Sequence, residues 1–335
     1  MRTLAVAVFV VVIALAPRFV APFVAFELTY VGAYAIAILG LVILTGYSGQ
    51  ISLGHGAFMA IGGYTVAVLA LRAGIGIEVS ILLAAAICAV FGLAIGFVAL
   101  RLADVYLALA TFALATSVPP ILKRFKVLTG GVQGLSLPHV AVPGPMQSIL
   151  SPEAWLYYVA WSILGVLFGI AWLVLRGRVG RSLRAIRDSQ VAAVAFGVNP
   201  TFYKTIAFGW SAAYAGVAGA LLALATAYVS PDVYNLNLSL TLLIGVVLGG
   251  LHAFWGAIIG GVVVEFLPLW AQKINPAASS MVYGVALMLV MMFMPGGIAN
   301  ALERLVRTLR PIPVRDLVHT VHTVHTAHTD PLEEQ

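Results

Sequence analysis

Apolar residues run along this chain in long blocks, without the short alternation of a soluble fold. Residues 28–71, 79–100, 105–122, 154–175, 205–231, 233–264 and 274–302 contain no Asp, Glu, Lys or Arg. A charge at the centre of a bilayer helix costs at least about 2.5 kcal/mol, so such gaps mark helices that cross a membrane. Since about 20 residues span about 30 Å of hydrocarbon, the first block holds two helices and 233–264 holds one span or a bent pair. The pattern predicts an all-α, polytopic transmembrane helical protein of about eight spans, with a range of eight to ten, and with broken or re-entrant segments. In this reading residues 240–270 enter and return as two half-helices parted at Gly249-Gly250, and an even span count leaves both termini on one side.

Composition agrees: the 335 residues are 62% hydrophobic and 9% charged, with a mean hydropathy of +1.05, whereas soluble domains carry about 25% charged residues. The formal charge of +6 does not point to nucleic acid as a partner, because the basic residues sit in short gaps between apolar runs. Arg176, Arg178, Arg181, Arg184 and Arg187 fall within twelve residues, and Arg304, Arg307, Arg310 and Arg315 follow the last block. The positive-inside rule places both clusters, and both termini, in the cytoplasm. A single cysteine, Cys88, excludes a disulfide framework and any Cys-based metal site. None of the lysines (Lys123, Lys126, Lys204, Lys273) stands in a G-x-x-x-x-G-K-[ST] context, so the chain has no P-loop with which to hydrolyse ATP.

Residues 1–16 have the basic start, apolar middle and Ala14-Leu15-Ala16 end of a signal peptide. Pro17 fits poorly after a cut and the apolar pattern resumes at Phe19, so an uncleaved first span is expected. Residues 1–303 then form one membrane domain. Its outer loop, 123–153, is marked as a structured cap by Gly130-Gly131, Gly134 and its prolines. Residues 304–335 form a basic, His-rich cytoplasmic tail. His319, His322, His325 and His328 recur among Thr, Val and Ala, which favours a solvated disordered tail over a metal site.

The most polar stretch inside the apolar blocks is Gly46-Tyr47-Ser48-Gly49-Gln50-Ile51-Ser52-Leu53-Gly54-His55-Gly56. Its glycines free the backbone, and its polar side chains can satisfy exposed N–H and C=O groups or offer them to a solute. Leu251-His252-Ala253-Phe254-Trp255-Gly256, followed by Ile259-Gly260-Gly261, loosely echoes His55-Gly56-Ala57-Phe58, followed by Ile61-Gly62-Gly63. Paired interruptions mark a transport route, so Ser48, Gly49, Gln50, Ser52, His55, Gly249, Gly250 and His252 are its candidate residues. Gly92 and Gly96 read instead as close helix packing. Glu265 is the most isolated carboxylate in an apolar run. Residues 182–196 read as a short surface helix with Ser182 as N-cap, Gly197 as stop, and Leu183, Ile186 and Val194 on one side. Arg181, Arg184 and Arg187 occupy other sides, and Ala192-Ala193 leaves a smooth patch for another protein.

Two other classes stay open at this point. Gly46-Tyr47-Ser48-Gly49 matches the G-x-S-G of rhomboid intramembrane proteases, with His252-x-x-x-Gly256-x-x-x-Gly260 as the helix for their histidine. That match covers about ten residues and leaves the arginine loop unexplained. An ion-coupled secondary transporter would want intramembrane acids beyond Glu265.

Five blocks in order carry a more specific likeness: Gly46 to Tyr64, Val105 to Ala113 (VYLALATFA), Leu128 to Leu135 (LTGGVQGL), Gly180 to Asn199 with its Ala192-Ala193 and Gly197, and Leu248-Gly249-Gly250 with Trp255-Gly256. Together they resemble the LivM-type permease subunit of branched-chain amino acid ABC importers, from about Tyr30 to Gly297. The resemblance implies a membrane subunit that performs no covalent chemistry and needs no cofactor or metal. It implies two separate ATP-binding subunits, a second, LivH-type permease, a periplasmic or extracellular substrate-binding protein, and the plasma membrane of a prokaryote. Leucine, isoleucine and valine are the implied cargo, with other small amino acids, amides or urea carried by relatives. The segment 176–204 looks like the family's coupling loop, with Arg181, Arg184, Arg187, Ala192, Ala193 and Gly197 facing the ATPase. The general importer motif has Glu-Ala-Ala, three residues, then Gly; here Val191 stands at the Glu position. Gln190 stands where this family often has an acid, so a salt bridge made by that acid is expected to be lost.

Overall fold

The computed structural model describes residues 21–99, 104–140, 150–251, 253–274 and 296–301, with isolated positions elsewhere. The span expected over 1–16, isolated positions apart, lies outside the described residues, as do His252, the arginines after the last block and the histidine tail. Helix α1, Pro22–Leu41, is extended by a wider π turn, Val42–Tyr47, and α2, His55–Val68, by another, Leu69–Ala73. Then come α3 (Ile77–Ala99), α4 (Asp104–Arg124), α5 (Pro152–Arg176), α6 (Arg178–Asp188), α7 (Gln190–Ala195), α8 (Pro200–Thr226), α9 (Leu236–Gly249) and α10 (Gly256–Ile274). Among the described residues, six helices are long and apolar enough to cross a membrane: extended α1 and α2, α3, α4, α5 and α8. The chain is an all-α, multi-pass membrane protein.

Helix starts follow local chemistry. Proline stands in the first turn of α1, α5 and α8, where its missing N–H costs nothing. Ser151, Asn199 and Asn235 accept hydrogen bonds from the N–H groups of Ala154, Phe202 and Leu238, capping α5, α8 and α9.

Helix α8 is the centre, packed against α3, α2 and α1. Its most apolar stretch is 83% buried, against 22% for α4 and α5. Glycine makes this contact possible: a Cβ on Gly62 would overlap the Gly216 carbonyl, and one on Gly219 the Met59 carbonyl, so the α2 and α8 backbones touch. Gly92 abuts Ala212 and Gly96 abuts Phe208, the close packing expected of them. Helices α3 and α5 turn Leu82, Val90 and Leu173 outward, an apolar face suited to lipid.

Over 240–270 the chain forms two helices parted after Gly249, α9 and α10, 14 and 19 residues long. They run antiparallel, with Gly249 against Gly256 and Gly245 against Gly260. The chain between them turns at Gly250, whose φ of 119° suits only glycine. Helix α10 also packs along α1.

At the end away from the arginine loop, Leu135–Ser136 pairs antiparallel with Tyr228–Val229 and ties the outer loop to the end of α8. Gly130, Gly131 and Gly134 all have positive φ, and Lys123 pairs with Asp232 at 2.5 Å. These contacts hold the chain after α4 against the segment that follows α8.

At the arginine end the structure corrects one expectation. The single helix capped by Ser182 is two helices, and Ser182 lies inside α6, which starts at Arg178. The break falls at Ser189, which is extended (φ −159°) and whose hydroxyl accepts the Ala192 N–H to cap α7. This break re-aims α7: Leu183 and Ile186 are buried as expected, but Val194 is exposed and Ala193 is buried in its place. Gly197, at φ 79°, stops α7 as expected, and the Val198 N–H closes on the Ala193 carbonyl.

Candidate translocation and coupling site

The polar stretch 48–54 breaks regular helix between the π turn of α1 and the start of α2. It folds back into the protein. His55, the first residue of α2, meets Ser211 at 2.8 Å, and Ser211 is the twelfth residue of the 27-residue α8. That puts the start of α2 about 16 Å from one end of α8 and about 22 Å from the other, near the middle of that helix.

Neighbouring helices satisfy this buried helix start. The Leu53 N–H donates to Thr111 Oγ1 of α4 at 3.0 Å, the Gly54 N–H to Ser52 Oγ at 3.3 Å, and the Gly56 N–H to Ser239 Oγ of α9 at 2.9 Å. Ser211 Oγ donates its one proton to the Gly40 carbonyl at 2.6 Å. His55 Nε2 must therefore be the donor in the His55–Ser211 contact, which leaves Nδ1 as an acceptor with no partner among the described residues. A base that activates a nucleophilic serine has to accept that proton, so this pair is not a catalytic one. Ser48, the serine of the protease-like motif, donates back to the Leu44 carbonyl at 2.8 Å. Gln50 is fully buried, and neither end of its carboxamide has a partner among the described residues.

Both breaks meet at one place. A Cβ on Gly46 would overlap the Leu251 carbonyl, so the turn between α9 and α10 rests on the end of α1. Gly249 and Gly250 are buried there. Arg187 Nη1 donates to the Gly46 carbonyl at 2.7 Å.

The surface beyond this point is formed by α6 and α7. Arg181 and Arg184 are exposed, Arg184 stands 5.9 Å from the Tyr47 ring, and Arg187 turns inward. Val191 and Phe196 are 83% and 87% exposed, with Val194, Ala192 and Gly197 also outward. Lys204, at the start of α8, donates to Gln190 Oε1 at 3.1 Å. Gln190 carries no charge with which to make a salt bridge, but its amide oxygen accepts from the ammonium group.

Residues 23–292 match the family described as branched-chain amino acid transport system, permease component. The chain belongs to that family. Over 79% of its length it is 32% identical to a high-affinity branched-chain amino acid transport system permease protein, LivM, of Salmonella typhimurium, covering 67% of that relative. The LivM of Escherichia coli is 30% identical over the same share. The LivH permease protein of Salmonella typhimurium is 26% identical over 81% of this chain and 92% of its own. No solved structure matches the chain. Family membership sets the protease reading aside: this is a permease component of a transport system.

Within this permease the structure brings Ser48, Gln50, Ser52 and His55 together as buried side chains of one segment, with Gly49 exposed between them and Gly249 and Gly250 buried next to Leu251. Sequence reasoning missed Thr111, Ser211 and Ser239, the three hydroxyls that hold the start of α2. Each is a polar residue inside a charge-free run, the same signal that singled out Ser48 to His55. It also missed Glu27, a carboxylate buried in α1 where α10, the helix that carries Glu265, packs along it.

Proposed function

We propose that this permease is one of the two membrane halves of an ATP-driven importer for branched-chain amino acids or related small amino acids and amides. It shares the pathway with a sister permease. Two separate ATP-binding subunits drive it, since the chain carries no P-loop, and a periplasmic or extracellular binding protein feeds it. The plasma membrane of a prokaryote is its place, with the arginine end and both termini cytoplasmic. Ser48, Gly49, Gln50, Ser52, His55, Gly249, Gly250 and His252 line or gate the pathway.

The observation that carries this reading is the surface of α6 and α7. Exposed Val191, Val194 and Phe196 stand beside Arg181 and Arg184 at the most basic end of the molecule. Arginines at that density sit in water, and an apolar patch among them fits a protein partner better than lipid tails. The names of the LivM and LivH relatives supply the cargo class and the idea of a sister permease.

The test is reconstitution of this chain with its co-purifying partners in proteoliposomes, measuring uptake of radiolabelled leucine, isoleucine and valine. Uptake that requires internal ATP and survives ionophores supports the reading. Uptake that ignores ATP and collapses with the proton gradient overturns it in favour of an ion-coupled carrier, and Glu27, buried in α1, with Glu265 on the α10 packed along it, are then the residues to test.

A further inference from the structure

We infer that Arg187 is the mechanical joint between the cytoplasmic helices and the two backbone breaks, a positioning residue and not part of the docking face. The inference rests on the importer reading above and goes further by naming where motion crosses into the membrane domain.

Three observations converge on it. First, Arg187 is the last basic residue of α6, yet its side chain leaves the row of Arg181 and Arg184 and turns inward, 27% exposed. Second, its Nη1 donates to the Gly46 carbonyl while Nε and Nη2 hold Asp188 Oδ1 at 3.0 and 2.8 Å. Gly46 lies in the last turn of extended α1, where carbonyls lack intrahelical partners and the helix dipole is negative. A forked guanidinium held on one side by Asp188 can fill that position rigidly, as a compact ammonium cannot. Third, Gly46 is also where the Leu251 carbonyl rests, so a pull on this turn reaches the α9–α10 break as well as the 48–54 break.

The backbone beside it is built to give. Gly49 has a φ of 74°, and a Cβ there would come within 3.1 Å of Arg187 Cγ. The glycine thus serves two ends: it permits the left-handed turn and leaves room for the arginine stem. Beyond Gly49 the chain has no regular helix until His55. A displacement of α6 is carried by a charged hydrogen bond into a segment hinged at a glycine, while α8 and the rest of α1 stay packed.

The test uses the complete reconstituted complex with Arg187→Ala, Arg187→Met and Arg187→Lys. One readout is substrate imported per ATP hydrolysed. The other is the distance between spin labels at Ile51 and Arg178, both exposed, without nucleotide and with ATP trapped; Cys88 is buried and stays unlabelled. The alanine variant is expected to retain its ATPase subunits on purification, lose at least tenfold in substrate per ATP, and show no label displacement. Lysine restores part of both. If alanine prevents insertion, methionine, which keeps the stem and removes the donors, carries the same expectation. Substrate per ATP within twofold of wild type, or loss of the ATPase subunits themselves, overturns the joint; the second result assigns Arg187 to docking. A wild-type complex that imports nothing with ATP sinks the importer reading itself, a separate result.

Discussion

Replacing Ser211 with alanine is the sharpest test of how the buried start of α2 is held. Ser211 Oγ links two chain segments at once, receiving His55 Nε2–H at 2.8 Å and donating to the Gly40 carbonyl at 2.6 Å. Without it, His55, 1% exposed and already lacking a partner at Nδ1, has none at either nitrogen among the described residues. An unsatisfied buried donor costs about 1–3 kcal/mol, and the weakened Gly40 carbonyl adds about 1 kcal/mol. The sum, roughly 2–4 kcal/mol, lowers the folded-to-unfolded ratio by about thirtyfold to several hundredfold. Unfolding in mixed detergent, followed by tryptophan fluorescence, measures it. The double variant Ser211→Ala with His55→Met removes both partners and returns most of the loss, since an apolar pair in place of a polar one is nearly neutral. A loss below about 0.5 kcal/mol for Ser211→Ala, or a double variant as unstable as the sum of the singles, would falsify this account of the site.

Other perturbations probe other contacts. Gly62→Leu drives a side chain into the Gly216 carbonyl, backbone that cannot yield, so α2 separates from α8 and the folded yield in detergent falls by more than half; a normal yield refutes the touching backbones. Gly197→Asp meets no neighbour within 4 Å and strains the left-handed turn at φ 79° by about 1 kcal/mol, a local cost that leaves insertion intact, but it abolishes ATP-driven uptake if this exposed stop belongs to the docking face; normal uptake removes it from that face. Gln190→Glu turns the Lys204 contact into an ion pair and stabilises the chain by about 0.5–1 kcal/mol at low salt, a gain that 0.5 M salt should diminish in the same unfolding assay. Phe196→Glu, at an 87% exposed position, leaves the thermal midpoint unchanged and lowers the amount of ATPase subunit that co-purifies; undiminished recovery argues against an apolar docking patch.

Much of this was legible in the chain because a membrane punishes charge at every depth. The gaps between charged residues marked the courses of the six long helices, although one gap covered both α1 and α2 and α1 starts ahead of it at Pro22 with Glu27 inside, and the cluster of Gly, Ser, Gln and His located the break before α2. The pair of helices parted at Gly249-Gly250 was legible for the same reason. The split of 178–195 at Ser189 was not: a serine in a polar helix fits the helix interior or the cap of the next one, and only its bond to the Ala192 N–H chooses.

Local rules of this kind operate over a few residues, so the sequence by itself determined that the chain crosses a membrane repeatedly, roughly where each helix runs, and which family it joins. Only the tertiary structure decided which polar groups meet. His55 finds Ser211 across 156 positions, Gly56 finds Ser239 across 183, and Arg187 finds Gly46 across 141. Those pairings depend on how helices stack and turn, and glycine contacts set that stacking at sub-ångström tolerance. No periodicity along the chain encodes such a distance; it emerges when the α1, α2 and α8 backbones close on one another.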